Sequence, residues 1–139
     1  MRLLIIGILS SLLSCISQTD ESFYEAYEFV NRSNYKIVIQ SYTKIDEEYS
    51  LTDYSIFQND TLTQEFELMF GSKTGIIAYS DSLRIIYRGE RASGFLPEDP
   101  STFNILNKEN YSREEISKNY TNYQYEFSED DFENAEPIE

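Results

Sequence analysis

No histidine occurs anywhere in the 139 residues, and that absence removes most hydrolytic chemistry at once. Ser-His-Asp triads, histidine general bases and the usual zinc sites all need an imidazole. Tryptophan is absent too, which weakens the case for a carbohydrate-binding module. The 5 glycines do not fall at the spacing of a phosphate-cradling loop, so no nucleotide fingerprint is present. Cations are scarce: Lys+Arg 11 stand against Asp+Glu 25, a formal net charge of -14. Nucleic acid is therefore excluded as a partner, because binding it needs a basic patch to neutralise phosphates. A long hydrophobic run is also missing. The apolar segment from Leu3 to Leu13 is only eleven residues, whereas a helix crossing about 30 Å of hydrocarbon needs roughly 20. Its length suits the apolar region of a secretory signal, with Arg2 as the basic flank.

One thiol is present, and its position matters. Leu12-Leu13-Ser14-Cys15 puts a small residue directly before the only cysteine, at the end of the apolar run. The segment resembles a bacterial lipoprotein signal peptide with its lipobox. The resemblance implies cleavage between Ser14 and Cys15, a diacylglycerol on the Cys15 sulfur and a further acyl chain, of the palmitate kind, on the freed amine. The alternatives are an ordinary cleaved signal in which Cys15 has no special role, or an uncleaved anchor. Acylation of Cys15 leaves no thiol for disulfides or cysteine catalysis, and no cofactor is implied. Anionic headgroups would repel so acidic a chain, so the acyl anchor rather than surface charge is expected to hold it at the membrane.

The chain then divides into a signal peptide at 1–14, a lipidated tether at 15–22, a β domain at 23–128 and an acidic C-terminal tail at 129–139. The seven residues Ile16 to Ser22 reach at most about 25 Å at roughly 3.5 Å each, which keeps the domain close to its membrane. Cys15 to Ser22 loosely resembles the acidic signal that routes Bacteroidetes-type lipoproteins to the outer face of the outer membrane. Periplasmic and surface orientations both stay open.

Four segments alternate with period two, as strands do when they bury one face. Tyr35, Ile37 and Ile39 form one apolar set, although Val38 blurs the opposite side. Phe66, Leu68 and Phe70 form the second, Leu83, Ile85 and Tyr87 the third, and Tyr123, Tyr125 and Phe127 the fourth. Tyr24 to Val30, Ser55 to Phe57, Gly75 to Tyr79 and Arg91 to Leu96 are further strand candidates between turn-formers. Asn31 to Asn34, Asn59-Asp60, Ser80-Asp81 and Arg88-Gly89-Glu90 supply the turns. Helix is expected where Ser112-Arg113-Glu114-Glu115 matches a capping box, ending near Asn119. Ser128 to Asp131 can cap one more turn through Asn134, and Phe132 is expected to dock the first half of the tail. Short strands with frequent turns imply an all-β fold, an antiparallel β-sandwich or a relative of one, with one short helix.

Chemistry beyond lipidation is thinly signalled. Asp46-Glu47-Glu48 and Glu129 to Glu133 offer hard oxygen ligands, yet neither has the glycine or the alternating spacing of a calcium loop, so no metal site is assigned. Plentiful acids leave carboxylate-only catalysis formally open, but plenty does not make a pair. Most of the 12 tyrosines are expected to line the core with their hydroxyls at its rim. Tyr42, Tyr49, Tyr54 and Tyr120 fall at strand ends or loops, where rings can serve as contact surface. Asp60-Thr61-Leu62 and Asp81-Ser82-Leu83 resemble the O-glycosylation acceptor of exported Bacteroidetes proteins, which would make Thr61 and Ser82 the modified residues. Asn31, Asn59, Asn110 and Asn119 head formal N-glycan sequons that a bacterial lipoprotein would rarely use.

Tyr27 to Ser33, Asp81 to Ile85, Asn104-Ile105-Leu106 and Tyr125 to Asp131 together resemble a loose group of small Bacteroidetes-type lipoproteins of unknown function. That resemblance implies one all-β domain and carries no activity with it. The expectation is a lipid-anchored envelope protein acting by binding or assembly, its partner an envelope protein or a glycan. A surface glycan-binding accessory is the second reading, and a carboxylate-based enzyme or inhibitor the third.

Overall fold

The computed structural model describes residues 22–68 and 76–139. Its strands are β1 (Tyr24–Asn31), β2 (Ile37–Ile45), β3 (Glu48–Ile56), β4 (Thr61–Glu67), β5 (Ser82–Tyr87), β6 (Arg91–Phe95), β7 (Ser112–Ser117), β8 (Tyr120–Phe127) and the two-residue β9 (Glu136–Pro137). Two short helices, α1 (Ile76–Tyr79) and α2 (Glu129–Asn134), and a 3-10 turn at Lys108–Asn110 complete the described residues. The strands form a four-stranded sheet ordered β4-β1-β8-β7 and a five-stranded sheet ordered β3-β2-β5-β6-β9. Their inner faces share one apolar cluster, so the all-β, two-sheet architecture expected from the alternation is the one observed.

Three alternating sets behave as their period requires. Ile37, Ile39, Leu83, Ile85, Tyr87, Tyr123, Tyr125 and Phe127 are all buried, and each apolar side chain so placed stabilises the fold by roughly 1.5–3 kcal/mol. The set at Phe66, Leu68 and Phe70 holds only at Phe66, because β4 stops at Glu67 and Leu68 is exposed; Phe70 lies outside the described residues. Aromatic rings dominate the four-stranded sheet's inner side. Tyr27 and Tyr123, paired across β1 and β8, stack at 5.1 Å, and Tyr111 meets Tyr27 edge-on at 5.7 Å.

One pairing departs from an antiparallel plan. β1 and β8 run parallel, in register from Tyr24 opposite Tyr120 to Asn31 opposite Phe127, while every other ladder is antiparallel. Periodicity reports which face a residue occupies and is silent on strand direction. A parallel pair needs a long connection, and here four of the second sheet's five strands, β2, β3, β5 and β6, lie between the two partners in sequence.

Local signals failed in two places. Ser112 to Ser117 forms the edge strand β7 instead of a helix, with Ser112 Oγ donating to the Gln124 carbonyl at 3.2 Å. A four-residue capping signature is a weak preference, and pairing along β8 overrides it. Ile76–Tyr79, expected as strand, makes one helical turn whose first amide donates to Gln64 Oε1 at 2.8 Å. Short apolar runs do not distinguish the two conformations.

Residues 129–139 are not a free acidic tail. Asp131 is buried at the start of α2, where it accepts hydrogen bonds from the Ser128 amide and hydroxyl at 2.8 Å each and from the Tyr125 hydroxyl at 2.6 Å. Phe132 docks as expected, packing on Tyr35 with the guanidinium groups of Arg88 and Arg91 over its ring. β9 then pairs with β6.

The β5–β6 hairpin turns on Arg88 and Gly89, at φ 56° and 76°, and closes with the Glu90 amide donating to the Tyr87 carbonyl at 3.0 Å. A Cβ at Gly89 would meet nothing within 4 Å, so its cost is purely conformational. Gly89→Ala is expected to lower unfolding stability by about 1 kcal/mol. Chemical denaturation checks this, and an unchanged midpoint would contradict the turn geometry.

Candidate binding face

Ser14 and Cys15, the lipidation and cleavage residues expected from the sequence, lie outside the described residues. Thr61 is exposed at the start of β4, its amide donating to Asp60 Oδ1 at 2.9 Å. Ser82 is half-buried at the start of β5. They sit on different sheets, and the fold does not bring them together. The aspartates of both tripeptides brace strand termini: Asp60 holds Thr61 at the start of β4, and the Asp81 carboxylate accepts the Lys44 amide near the end of β2. Asn31 is fully buried, and its side-chain amide is bonded to the Tyr35 and Ile56 carbonyls, so the first sequon is closed in the folded state.

The acidic runs are used structurally. Asp46 and Glu47, at φ 47° and 72°, make the two-residue turn between β2 and β3, and Asp131 belongs to the cap of α2. Among the described residues, no group of three His, Cys, Asp or Glu is placed to hold a metal ion.

One charged cluster stands out on the inner face of the four-stranded sheet. Lys108 Nζ lies 2.7 Å from Glu25 Oε1 and sits over the Tyr123 ring at 4.2 Å, while the Tyr27 hydroxyl donates to Glu25 Oε2 at 2.8 Å. Burial pushes the Tyr27 hydroxyl up to about 12, against the hydrogen bond with Lys108. Burial opposes the Lys108 charge, but its bonds to Glu25, Tyr27 and Tyr123 outweigh that and raise its pKa. Both groups stay protonated at neutral pH, so neither is poised as a general base. The cluster is a bolt that fixes the 3-10 turn to β1 and β8.

The outer faces of the two sheets differ in charge. The four-stranded sheet presents Glu28, Glu65, Glu67, Glu114 and Glu126, with Tyr24 and Tyr120 stacked and bonded to Glu67 and Glu65. The five-stranded sheet presents cations and loose apolar side chains. Register defines its rows: Tyr49 opposite Lys44, Leu51 opposite Tyr42, Asp53 opposite Gln40, and Ser55 opposite Val38. Arg84 extends the Gln40 row and Ile86 the Val38 row. Just before the start of β2, Lys36 Nζ lies 5.6 Å from the centre of the exposed Phe57 ring. Tyr49 is 68% exposed and Leu51 51%. Among the described residues, neither Tyr42 nor Tyr49 makes a side-chain hydrogen bond or ring contact, and neither Arg84 nor Lys44 has a side-chain partner.

Sequence reasoning singled out Tyr42 and Tyr49 but missed Lys44, Leu51 and Arg84. The missed signal is alternation continuing from Ile37 to Ile45 and again from Glu48, on either side of a two-residue turn that reads locally as an acidic run. Comparison with known proteins returns no match: no family model, no curated protein and no solved structure.

Proposed function

We propose that this chain is a lipid-anchored protein of the bacterial envelope that acts by binding. The observation that carries the anchor is the only cysteine, Cys15, standing directly behind an apolar run too short to span a bilayer. No helix among the described residues is long and apolar enough to cross a membrane. Binding is supported by the outer face of the five-stranded sheet, where the side chains of Lys44, Arg84, Tyr42 and Tyr49 stand without partners among the described residues. Glycan binding is the second reading, favoured by the unengaged rings of Tyr42 and Tyr49 on one sheet face.

Fractionation of the native host tests the anchor. The wild-type chain is expected in the membrane pellet and in the detergent phase on Triton X-114 partition. Cys15→Ala should shift it to the soluble fraction or leave it as unprocessed precursor, and globomycin should leave the wild-type unprocessed. Unchanged mobility and partition under both treatments would contradict lipidation.

A further inference from the structure

We propose that the outer face of the five-stranded sheet binds a linear acidic glycan, a polysaccharide bearing carboxylates, along a track from Lys44 past Arg84 to Lys36. The proposal rests on the binding reading above and specifies its ligand. Lys44, Gln40 and Lys36 are same-face residues four apart on β2 and its extension, and Arg84 lies beside Gln40 on the next strand. At about 3.4 Å per residue the three cations follow one another at roughly 14 Å intervals, over a track about 27 Å long. Each end pairs a cation with an exposed ring, Lys44 with Tyr49 and Lys36 with Phe57. Rings offer apolar faces on which sugars stack, and the cations between them supply counter-charges for carboxylates.

Charge complementarity singles out this face. In a chain of formal net charge -14, the track holds three cations against two carboxylates, both already engaged: Asp53 accepts a hydrogen bond from Gln40 at 3.2 Å, and Asp81 accepts the Lys44 amide. Glu136 lies at the far edge, on β9. Screening over about 8 Å at physiological salt is shorter than the spacing between cations, so a bound carboxylate feels its nearest cation far more than the distant acidic sheet.

Gly94 adds an independent observation. It sits opposite Arg84 on β6, exposed, with no positive φ, and a Cβ there would find only the Leu83 carbonyl oxygen at 3.9 Å. Neither conformation nor space requires glycine at this position, and glycine within a strand often marks a place where a ligand lies close to the backbone. Its effect is to leave the guanidinium row flat.

Affinity electrophoresis of the full-length lipoprotein in neutral detergent, through gels containing polygalacturonate or its fully methyl-esterified form, tests the proposal. Retardation by polygalacturonate at low salt is expected, weakening at 0.5 M NaCl and largely absent with the uncharged ester. Arg84→Glu and Lys44→Glu should each weaken binding about fivefold or more. Gly94→Val should obstruct the track while leaving the circular dichroism spectrum unchanged. Absence of retardation by polygalacturonate, or equal retardation by the ester, would overturn the proposal. Salt-sensitive self-association abolished by Arg84→Glu would also overturn it, since a second copy's acidic sheet would then be the occupant. Failure in these gels with membrane fractionation intact removes the glycan and leaves the anchored binding protein standing.

Discussion

Raising the pH from about 9 to about 12 is expected to unfold this protein in one cooperative step, with tyrosinate absorbance appearing in two stages. Burial raises the pKa values of Tyr27, Tyr87, Tyr111 and Tyr125 above the ordinary tyrosine value near 10, with the nearby Asp131 carboxylate adding to the effect at Tyr87 and Tyr125. A group whose folded pKa is raised contributes stability that is complete below its unfolded pKa and is lost as pH climbs toward the folded value. Above pH ~10 the unfolded chain releases four phenolic protons that the folded chain retains. Each retained proton costs about 1.4 kcal/mol per pH unit, so stability falls by on the order of 5 kcal/mol per unit. A domain of ordinary stability, about 5–15 kcal/mol, is exhausted within one to three units. Absorbance at 295 nm should rise late for the buried set, together with the loss of ellipticity, after an earlier stage from rings outside the core. Complete tyrosine titration near pH 10 with the fold intact would show that these rings are not enclosed.

Replacing Asn31 by alanine is expected to be the most damaging single substitution at a polar site, at about 3–5 kcal/mol. Asn31 ends β1 at the corner where the chain leaves one sheet for the other, and it is fully buried. Its Nδ2 donates to the Tyr35 carbonyl at 2.7 Å and the Ile56 carbonyl at 3.1 Å, while Oδ1 accepts from the Ser33 amide at 2.9 Å and hydroxyl at 2.6 Å. One side chain thus ties the end of β1 to the approach to β2 and the end of β3. Alanine leaves two buried carbonyls and an amide without this partner, at about 1–3 kcal/mol for each unsatisfied group. Asn31→Asp keeps the acceptor but loses both donors and introduces a charge, so it should be at least as harmful. Exposed Asn34 serves as a control, with Asn34→Ala expected within about 0.5 kcal/mol of wild type. Urea denaturation of the three variants checks the ranking, and a loss below about 1 kcal/mol for Asn31→Ala would contradict the role given to the corner.

Faces were legible in the sequence, and neighbours were not. Ile85 and Tyr87 could be assigned to the core because side-chain period is a property of one strand. Opposing Arg84 to Gln40 and Gly94 requires the registers of three strands, and no single segment encodes those. Direction was hidden for the same reason, which is why β1 and β8 emerge as a parallel pair. Asn104 illustrates another limit. Its buried amide donates to the Leu96 and Asp99 carbonyls at 2.8 Å each and organises the segment between β6 and β7, although nothing in Asn104-Ile105-Leu106 distinguishes it from a surface turn. Asp131 was read correctly as part of a cap at Ser128, because that signal is local and no strand competes for the segment.

The anchored-binding account stands or falls on the chemistry at Cys15, and intact-mass and fragment spectra of protein purified from its own host's membranes address it directly. The account predicts a chain beginning at Cys15, carrying diacylglycerol in thioether linkage and an acyl group on the new amino terminus. A chain that retains residues upstream of Cys15 and carries a free thiol there would contradict it.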